Sequence, residues 1–220
     1  PVLLLYQQKW IEDRSPIKIC EKSRRIGISW ADAADSALEA ARANGCDSWY
    51  VGYNKEMAEQ YIEDVAFWAS SYHLAAIAVE EFVFEDESKD ILAFRVRFAS
   101  GHKVTALSSR PSNLRSKGKR GDRLRLDEAA FHDDLPQLLK AAIAFTMWGG
   151  CVAIWSTHNG IDNEFNKLIE EIKAGDRNYS HHKITLDDAL ADGLYKRICL
   201  VSGKQWSLEG ELAWRSQLYS

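Results

Sequence analysis

The chain has 220 residues, 46% of them hydrophobic, a formal net charge of −4 and a pI near 5.9. That is enough apolar material for one packed α/β core, and the mild acidity excludes a surface coated in positive charge for nucleic acid, so any basic function must be local. No apolar run approaches the ~18 residues of a membrane span and no charged-then-apolar leader opens the chain, which reads as soluble and intracellular.

Val2 to Trp10 reads as a short helix or an extended arm. An amide both donates and accepts, so Gln7 or Gln8 can read the edge of an adenine ring, with Tyr6 or Trp10 as a stacking face; they also make sense as plain surface glutamines. Ile17 to Cys20 reads as a strand and the Ala-rich run Ala31 to Ala43 as a helix. Between them lies EKSRRIGISW, Glu21 to Trp30. Strand, tight loop and helix form a phosphate cradle, in which backbone N–H groups and the helix dipole meet an anion, a cationic side chain adds charge and a hydroxyl can hold Mg²⁺. Lys22, Ser23, Arg24, Arg25, Ile26, Gly27, Ile28, Ser29 and Trp30 are the candidate nucleotide-contacting positions. Ile28 stands where GxxxxGK[ST] has lysine, so Lys22 must bring that charge from the start of the loop. A turn with solvated basic residues is the competing reading.

Asn44 and Gly45 end the helix, Ser48 to Tyr53 reads as a second strand, and Asn54 caps a helix to about Tyr72 with Met57, Tyr61, Val65 and Trp68 on its core face. Glu81 to Thr105 reads as antiparallel strands with turns at Glu85 to Lys89 and Ser100 to Gly101, a hairpin near the sheet edge. Ser108 to Gly121 is a long basic loop. Arg110, Arg115, Lys117, Lys119, Arg120, Arg123 and Arg125 stand there and just beyond against the single acid Asp122, a field that suits phosphate of nucleotide or DNA, or simply solvent.

LRLDEAAF, Leu124 to Phe131, is a strand ending in adjacent acids, where phosphate-loop ATPases place Mg²⁺ chemistry. Asp127 suits a water-mediated Mg²⁺ contact, and Glu128 suits polarising an attacking water. Asp133 or Asp134 caps a helix to about Met147, with Pro136 in its first turn and Gly149 and Gly150 beyond. Cys151 to Trp155 is a buried strand leading to Ser156 and Thr157, hydroxyls suited to sensing a γ-phosphate. A helix over Asp162 to Ala174, a strand over Tyr179 to Thr185, a short helix over Asp187 to Tyr195 and a terminal helix complete the chain. Cys20, Cys46, Cys151 and Cys199 form no CxxC pair and read as reduced thiols. His181 and His182, adjacent on a strand, point to opposite faces, and no histidine or cysteine metal site is expected.

KSRRIGIS, LRSKGKRG, LDEAAF and WSTHNG, in this order and spacing, resemble the ATPase domain of large terminase subunits, the motors that package DNA into tailed phage and prophage capsids, in their Mu-like branch. The resemblance implies a three-layer P-loop NTPase fold (ASCE/RecA-like), with a mostly parallel central sheet flanked by helices and an antiparallel edge hairpin. It implies ATP and Mg²⁺ as cofactors. By likeness Lys22, Arg25 and Glu128 are catalytic, Gly27 is the close-approach glycine, and Ser29 and Asp127 hold the metal. Ser156 and Thr157 match the coupling motif, and Gln7 or Gln8 the adenine-reading glutamine. Arg115 or Arg120 is a candidate arginine for a neighbouring subunit. Arg125 departs from the wholly apolar strand that precedes the acids in this family.

The implied partners are double-stranded DNA, the capsid portal protein and the small terminase subunit, with self-association into a ring on the portal and no membrane. The implied location is the bacterial host's cytoplasm, transiently at the procapsid portal. Residues 1–195 read as the ATPase domain and 196–220 as the linker to a nuclease domain that full-length members carry, so no nuclease residue is assigned. A helicase-like or repair NTPase core is the alternative within the class. A nucleic-acid-binding scaffold with a degenerate nucleotide site, which Ile28 favours, is the alternative outside it.

Overall fold

Alternation along the strands sorts the apolar residues onto two faces of one sheet, and helices cover both. The computed structural model describes residues 2–72, 76–84, 91–108, 114 and 119–219. Strands β1 (Ile17–Lys22), β2 (Ser48–Gly52), β3 (Ala76–Phe84), β4 (Ile91–Phe98), β5 (Lys103–Ser108), β6 (Arg123–Asp127), β7 (Cys151–Ser156) and β8 (Ser180–Ile184) form an 8-stranded sheet in the order β3-β4-β5-β2-β6-β7-β1-β8. From β5 to β8 every pairing is parallel, while β3 pairs with β4 and β4 with β5 antiparallel. This is the expected architecture, a P-loop fold with the hairpin at one edge.

The helices are α1 (Leu5–Glu12), α2 (Ile28–Ala41), α3 (Lys55–Ser71), α4 (Leu135–Thr146), α5 (Glu164–Ala174), α6 (Leu186–Ala191), α7 (Leu194–Val201) and α8 (Leu208–Tyr219). Cys20, Tyr50, Ala153 and Trp155 join α1, α2 and α3 in one core, whereas Ile19, Trp49, Val51, Leu124, Leu126, Val152 and Ile154 join α4 and α5 in the other. Each fully buried Leu, Ile or Phe in these layers stabilises by roughly 1.5–3 kcal/mol. On β6, Leu124 and Leu126 fall on the second core, which leaves Arg125 and Asp127, at period two, on the side of α2.

Several boundaries differ from expectation. Helix α2 begins at Ile28, three residues before the Ala-rich run, because Gly27 takes a left-handed backbone (φ 74°) that turns the loop straight into the helix. Ser29 and Trp30 are therefore in its first turn. Strand β3 begins at Ala76, before the expected Glu81, and the turn at Glu85 to Lys89 lies outside the described residues. Asp134, rather than Asp133, caps α4, accepting from the Gln137 N–H. The single helix expected over Asp187 to Tyr195 is two, α6 and α7, divided at Gly193, whose φ is 97°. The boundary placed at 195 falls inside α7, which buries Leu194 and Cys199, while α8 buries no residue. All four cysteines are free, and His181 and His182 do turn to opposite faces, toward Glu21 and Asp13.

Candidate active site at the carboxyl ends of the strands

The parallel strands β1, β6 and β7 all end at one edge of the sheet, and their last residues supply the candidate groups. The chain leaves β1 at Lys22, crosses over β7 and β6 and enters β2, so this edge lies at a change of direction in strand order, where open α/β sheets bind ligands. Lys22 Nζ stands 2.6 Å from Glu128 Oε1, and Ser29 Oγ donates to Asp127 Oδ2 at 2.6 Å. The loop after β1 and the acid pair after β6, about a hundred residues apart in sequence, thus meet in one cleft.

Two backbone positions take an unusual conformation. Among the described residues, the non-glycine positions with positive φ are Arg25 (55°) and Glu128 (47°), one in each loop. Side chains rarely adopt that region, so both turns are strained and are held by their surroundings. On the loop, the Tyr6 hydroxyl donates to the Ile26 carbonyl at 2.5 Å, the Gln7 amide donates to the Gly27 carbonyl at 3.0 Å, and the Ser23 N–H donates to the Ile184 carbonyl at 2.9 Å. A Cβ at Gly27 would stand 2.8 Å from Gln7 Nε2, so a larger residue would push that amide off the loop and would also strain the left-handed backbone.

Gln7 is buried, and its amide is committed to the Leu4 N–H and the loop carbonyls. Adenine reading would require it to exchange one of those bonds. Gln8 donates to the Leu3 carbonyl. Arg24 and Arg25 are exposed, and Ile26 and Ile28 are buried, so the position of the usual lysine is occupied by a core side chain. Trp30 packs on Trp68 of α3, with ring centroids 4.4 Å apart.

Glu128 is gripped from two sides. Oε1 meets Lys22, while Oε2 accepts from the Thr157 N–H at 2.9 Å, the Thr157 hydroxyl at 3.2 Å and the Ser156 hydroxyl at 3.3 Å. Burial alone pushes its carboxyl up, but the Lys22 ammonium and the Thr157 hydrogen bonds outweigh burial and hold it below the ordinary glutamate value. Asp127 goes the other way: complete burial raises it to about 6, against the pull of Lys22 and the Ser29 hydrogen bond.

Asp127 Oδ2 also accepts from the Tyr50 hydroxyl at 2.8 Å, whereas the buried Oδ1 has no hydrogen-bond partner among the described residues. A buried orphan carboxylate oxygen beside a serine hydroxyl is a hard oxygen donor set that fits Mg²⁺. Chemically, the cleft offers an ammonium for a terminal phosphate, a carboxylate able to take a proton from water, and oxygens for a divalent ion.

Arg110, Arg115 and Lys117 of the basic loop lie outside the described residues. Lys119 and Arg120 are exposed in the turn before β6, at the opposite end of that strand from Asp127. The residues that sequence reasoning missed are Tyr50, Trp155 and Asp32. Trp155 donates to Ser29 Oγ at 3.1 Å, and Asp32 is the ion-pair partner of Arg125. Their signals were in plain view: a polar-headed aromatic on each of two central strands, and acids in an Ala-rich helix whose partner was the odd arginine.

No family model matches the chain. It is 52% identical over 220 residues to the Mu-like prophage FluMu protein gp28 of Haemophilus influenzae, covering 99% of this chain and 43% of that protein. It is likewise 52% identical over 226 residues to gp28 of Escherichia phage Mu, named a probable terminase large subunit, covering all of this chain and 40% of that one. The chain thus spans about two fifths of the length of these relatives. Among solved structures, the large terminase of a thermophilic bacteriophage in complex with ATP-gamma-S superposes with a TM-score of 0.58 at 15% identity, over 86% of this chain and 46% of that one. The large terminase ATPase domain of Thermus phage P74-26 does so with a TM-score of 0.55 at 18% identity, over 82% of this chain and 79% of that one. At these identities the likeness is one of fold.

Proposed function

The chain belongs to the Mu-like gp28 large terminases, and from that premise we propose that it hydrolyses ATP to power translocation of double-stranded DNA into a viral procapsid. The observation that carries the reading is the meeting of the loop and the acid pair, Lys22 with Glu128 and Ser29 with Asp127, each at 2.6 Å. Phosphoryl transfer needs mainly positioning and charge neutralisation, and these residues supply both. The positive N-terminus of α2 and Lys22 take the β and γ phosphates, and the exposed Arg25 lies in the same loop to add charge in cis. Ser29 and Asp127 hold Mg²⁺, which when bound neutralises phosphate charge.

Glu128 orients the attacking water and accepts its proton. Its Oε1 meets Lys22 and its Oε2 meets Thr157 and Ser156, so a phosphate that engages Lys22 competes for the first oxygen while the hydroxyl side keeps the second in place. Ser156 also accepts from the Ala130 N–H at 3.0 Å, which links the sensing hydroxyls to the turn that carries Glu128.

The wider assembly follows from the same premise. Double-stranded DNA, the portal protein and the small terminase subunit are the proposed partners, in a ring of copies on the portal to which Arg115 or Arg120 contributes an arginine in trans, in the host cytoplasm. Among the described residues no helix is long and apolar enough to cross a membrane. Residues 196–220 are proposed as the connection onward from the motor domain. The test is equilibrium titration with labelled ATP and Mg²⁺. Wild type binds, and Lys22→Ala loses about 10–100-fold in affinity, as expected for a hydrogen bond to a charged group. Absence of binding in both leaves the scaffold reading.

A further inference from the structure

A hydroxyl has one proton and two lone pairs, and an indole N–H only donates. The Trp155 Nε1–H, 3.1 Å from Ser29 Oγ, therefore occupies one lone pair of that oxygen, and the Ser29 proton goes to Asp127 Oδ2 at 2.6 Å. The Tyr50 hydroxyl donates to the same Oδ2 at 2.8 Å. What remains is one lone pair on Ser29 and the whole of Asp127 Oδ1, buried and without a hydrogen-bond partner among the described residues. The two aromatic donors thereby select which acceptors stay unused.

Neither donor is free to drift. Tyr50 is stacked on Tyr61, centroids 3.8 Å apart and planes within 14°, and Trp155 meets Trp10 edge-on at 5.7 Å. The two backing rings converge on one carboxylate of α2: the Tyr61 hydroxyl donates to Asp32 Oδ2 at 2.9 Å and the Trp10 indole to Asp32 Oδ1 at 3.1 Å. Asp32 lies one helical turn beyond Ser29 and is ion-paired to the buried Arg125.

Resting on the ATP-hydrolase reading, we propose that Tyr50 and Trp155 are positioning residues that reserve Asp127 Oδ1 and one Ser29 lone pair for the divalent ion of a metal–nucleotide complex. The Asp32–Arg125 pair is the footing of both. That gives the arginine inside β6 a purpose: it fixes the carboxylate against which the backing rings are set, two residues before Asp127, the acid to which Tyr50 donates. Tyr50 and Trp155 are both buried, so each acts through the residue to which it donates.

The test is Mn²⁺ titration followed by electron paramagnetic resonance, with a saturating non-hydrolysable ATP analogue, on the 220-residue chain and its Tyr50→Phe and Trp155→Phe variants. Tyr50→Phe keeps the stacked ring and loses one oxygen; it binds Mn²⁺ about 10–100-fold more weakly, the usual effect of removing a group that orients a metal ligand. Trp155→Phe shifts in the same direction, and analogue affinity without divalent ion is unchanged in both. Circular dichroism confirms the fold; should Trp155→Phe fail to fold, Tyr50→Phe carries the test. Unchanged Mn²⁺ binding in folded Tyr50→Phe, or an equal loss of metal-free analogue affinity, overturns the positioning role while leaving the hydrolase reading intact. A wild type that takes up no analogue, with or without Mn²⁺, overturns the hydrolase reading and this proposal with it.

Discussion

Helix α2 touches two constellations of charge, buried or half-buried apart from the exposed Arg14 at the edge of one. Along its flank, Asp32 and Asp35 meet Arg125, Arg123 and Arg14, and every charged side chain of the cluster faces an opposite charge. At its N-terminus, Lys22 and Ser29 meet Glu128 and Asp127, yet Asp127 keeps one oxygen unpartnered and Glu128 stands on a strained left-handed backbone. A closed ionic cluster holds elements together, whereas one with an unused acceptor is ready for something the chain does not supply. The contrast separates scaffold from site within a single helix.

Substitutions in the two places should therefore fail differently. Glu128→Gln removes the proton acceptor but keeps its shape and its contact to Lys22, so ATP turnover, read by phosphate release, falls about 10²–10⁴-fold while nucleotide still binds. Unchanged turnover would move the base elsewhere. Arg125→Met leaves two buried carboxylates without their main partner and lowers unfolding free energy by about 3–5 kcal/mol in urea titration. Should the chain tolerate it without loss, the flank cluster is not the scaffold described above.

The smallest effect is in pH. Burial raises Asp127 to about 6 in the folded chain, against about 3.9 unfolded, so between those values the folded state binds more protons and stability falls as pH rises through pH 4–6. The loss is up to about 3 kcal/mol. Glu128 and Asp35, held low, act in the opposite sense, losing stability as pH falls. The measurement is therefore the difference between wild type and Asp127→Asn in urea unfolding across pH 4–7, and equal slopes would remove Asp127 from the buried, metal-ready state.

The cleft was readable to the extent that its parts are local. Strand, basic loop and helix at Lys22 to Ser29, and a strand ending in Asp127 and Glu128, are each a pattern over a few residues, set by period and backbone chemistry. Helix propensity points to a start at the alanines, whereas the left-handed Gly27 starts α2 earlier, at Ile28. Sequence alone leaves Gln7 as an adenine reader or a surface glutamine; the structure uses its amide to hold the loop, a contact that depends on how α1 docks.

Arg125 shows the division most clearly. Along the chain it looks like an interruption, since a charged side chain in a central strand costs more than burial returns unless it is paired. Asp32 and Asp35, some ninety residues upstream, cancel that cost only after α2 has packed across β6. Composition, period and loop chemistry determined the α/β class, the order of elements and the two halves of the site. Packing alone decided which acceptors Tyr50 and Trp155 leave open, because a hydrogen-bond inventory is settled by neighbours in space rather than in sequence.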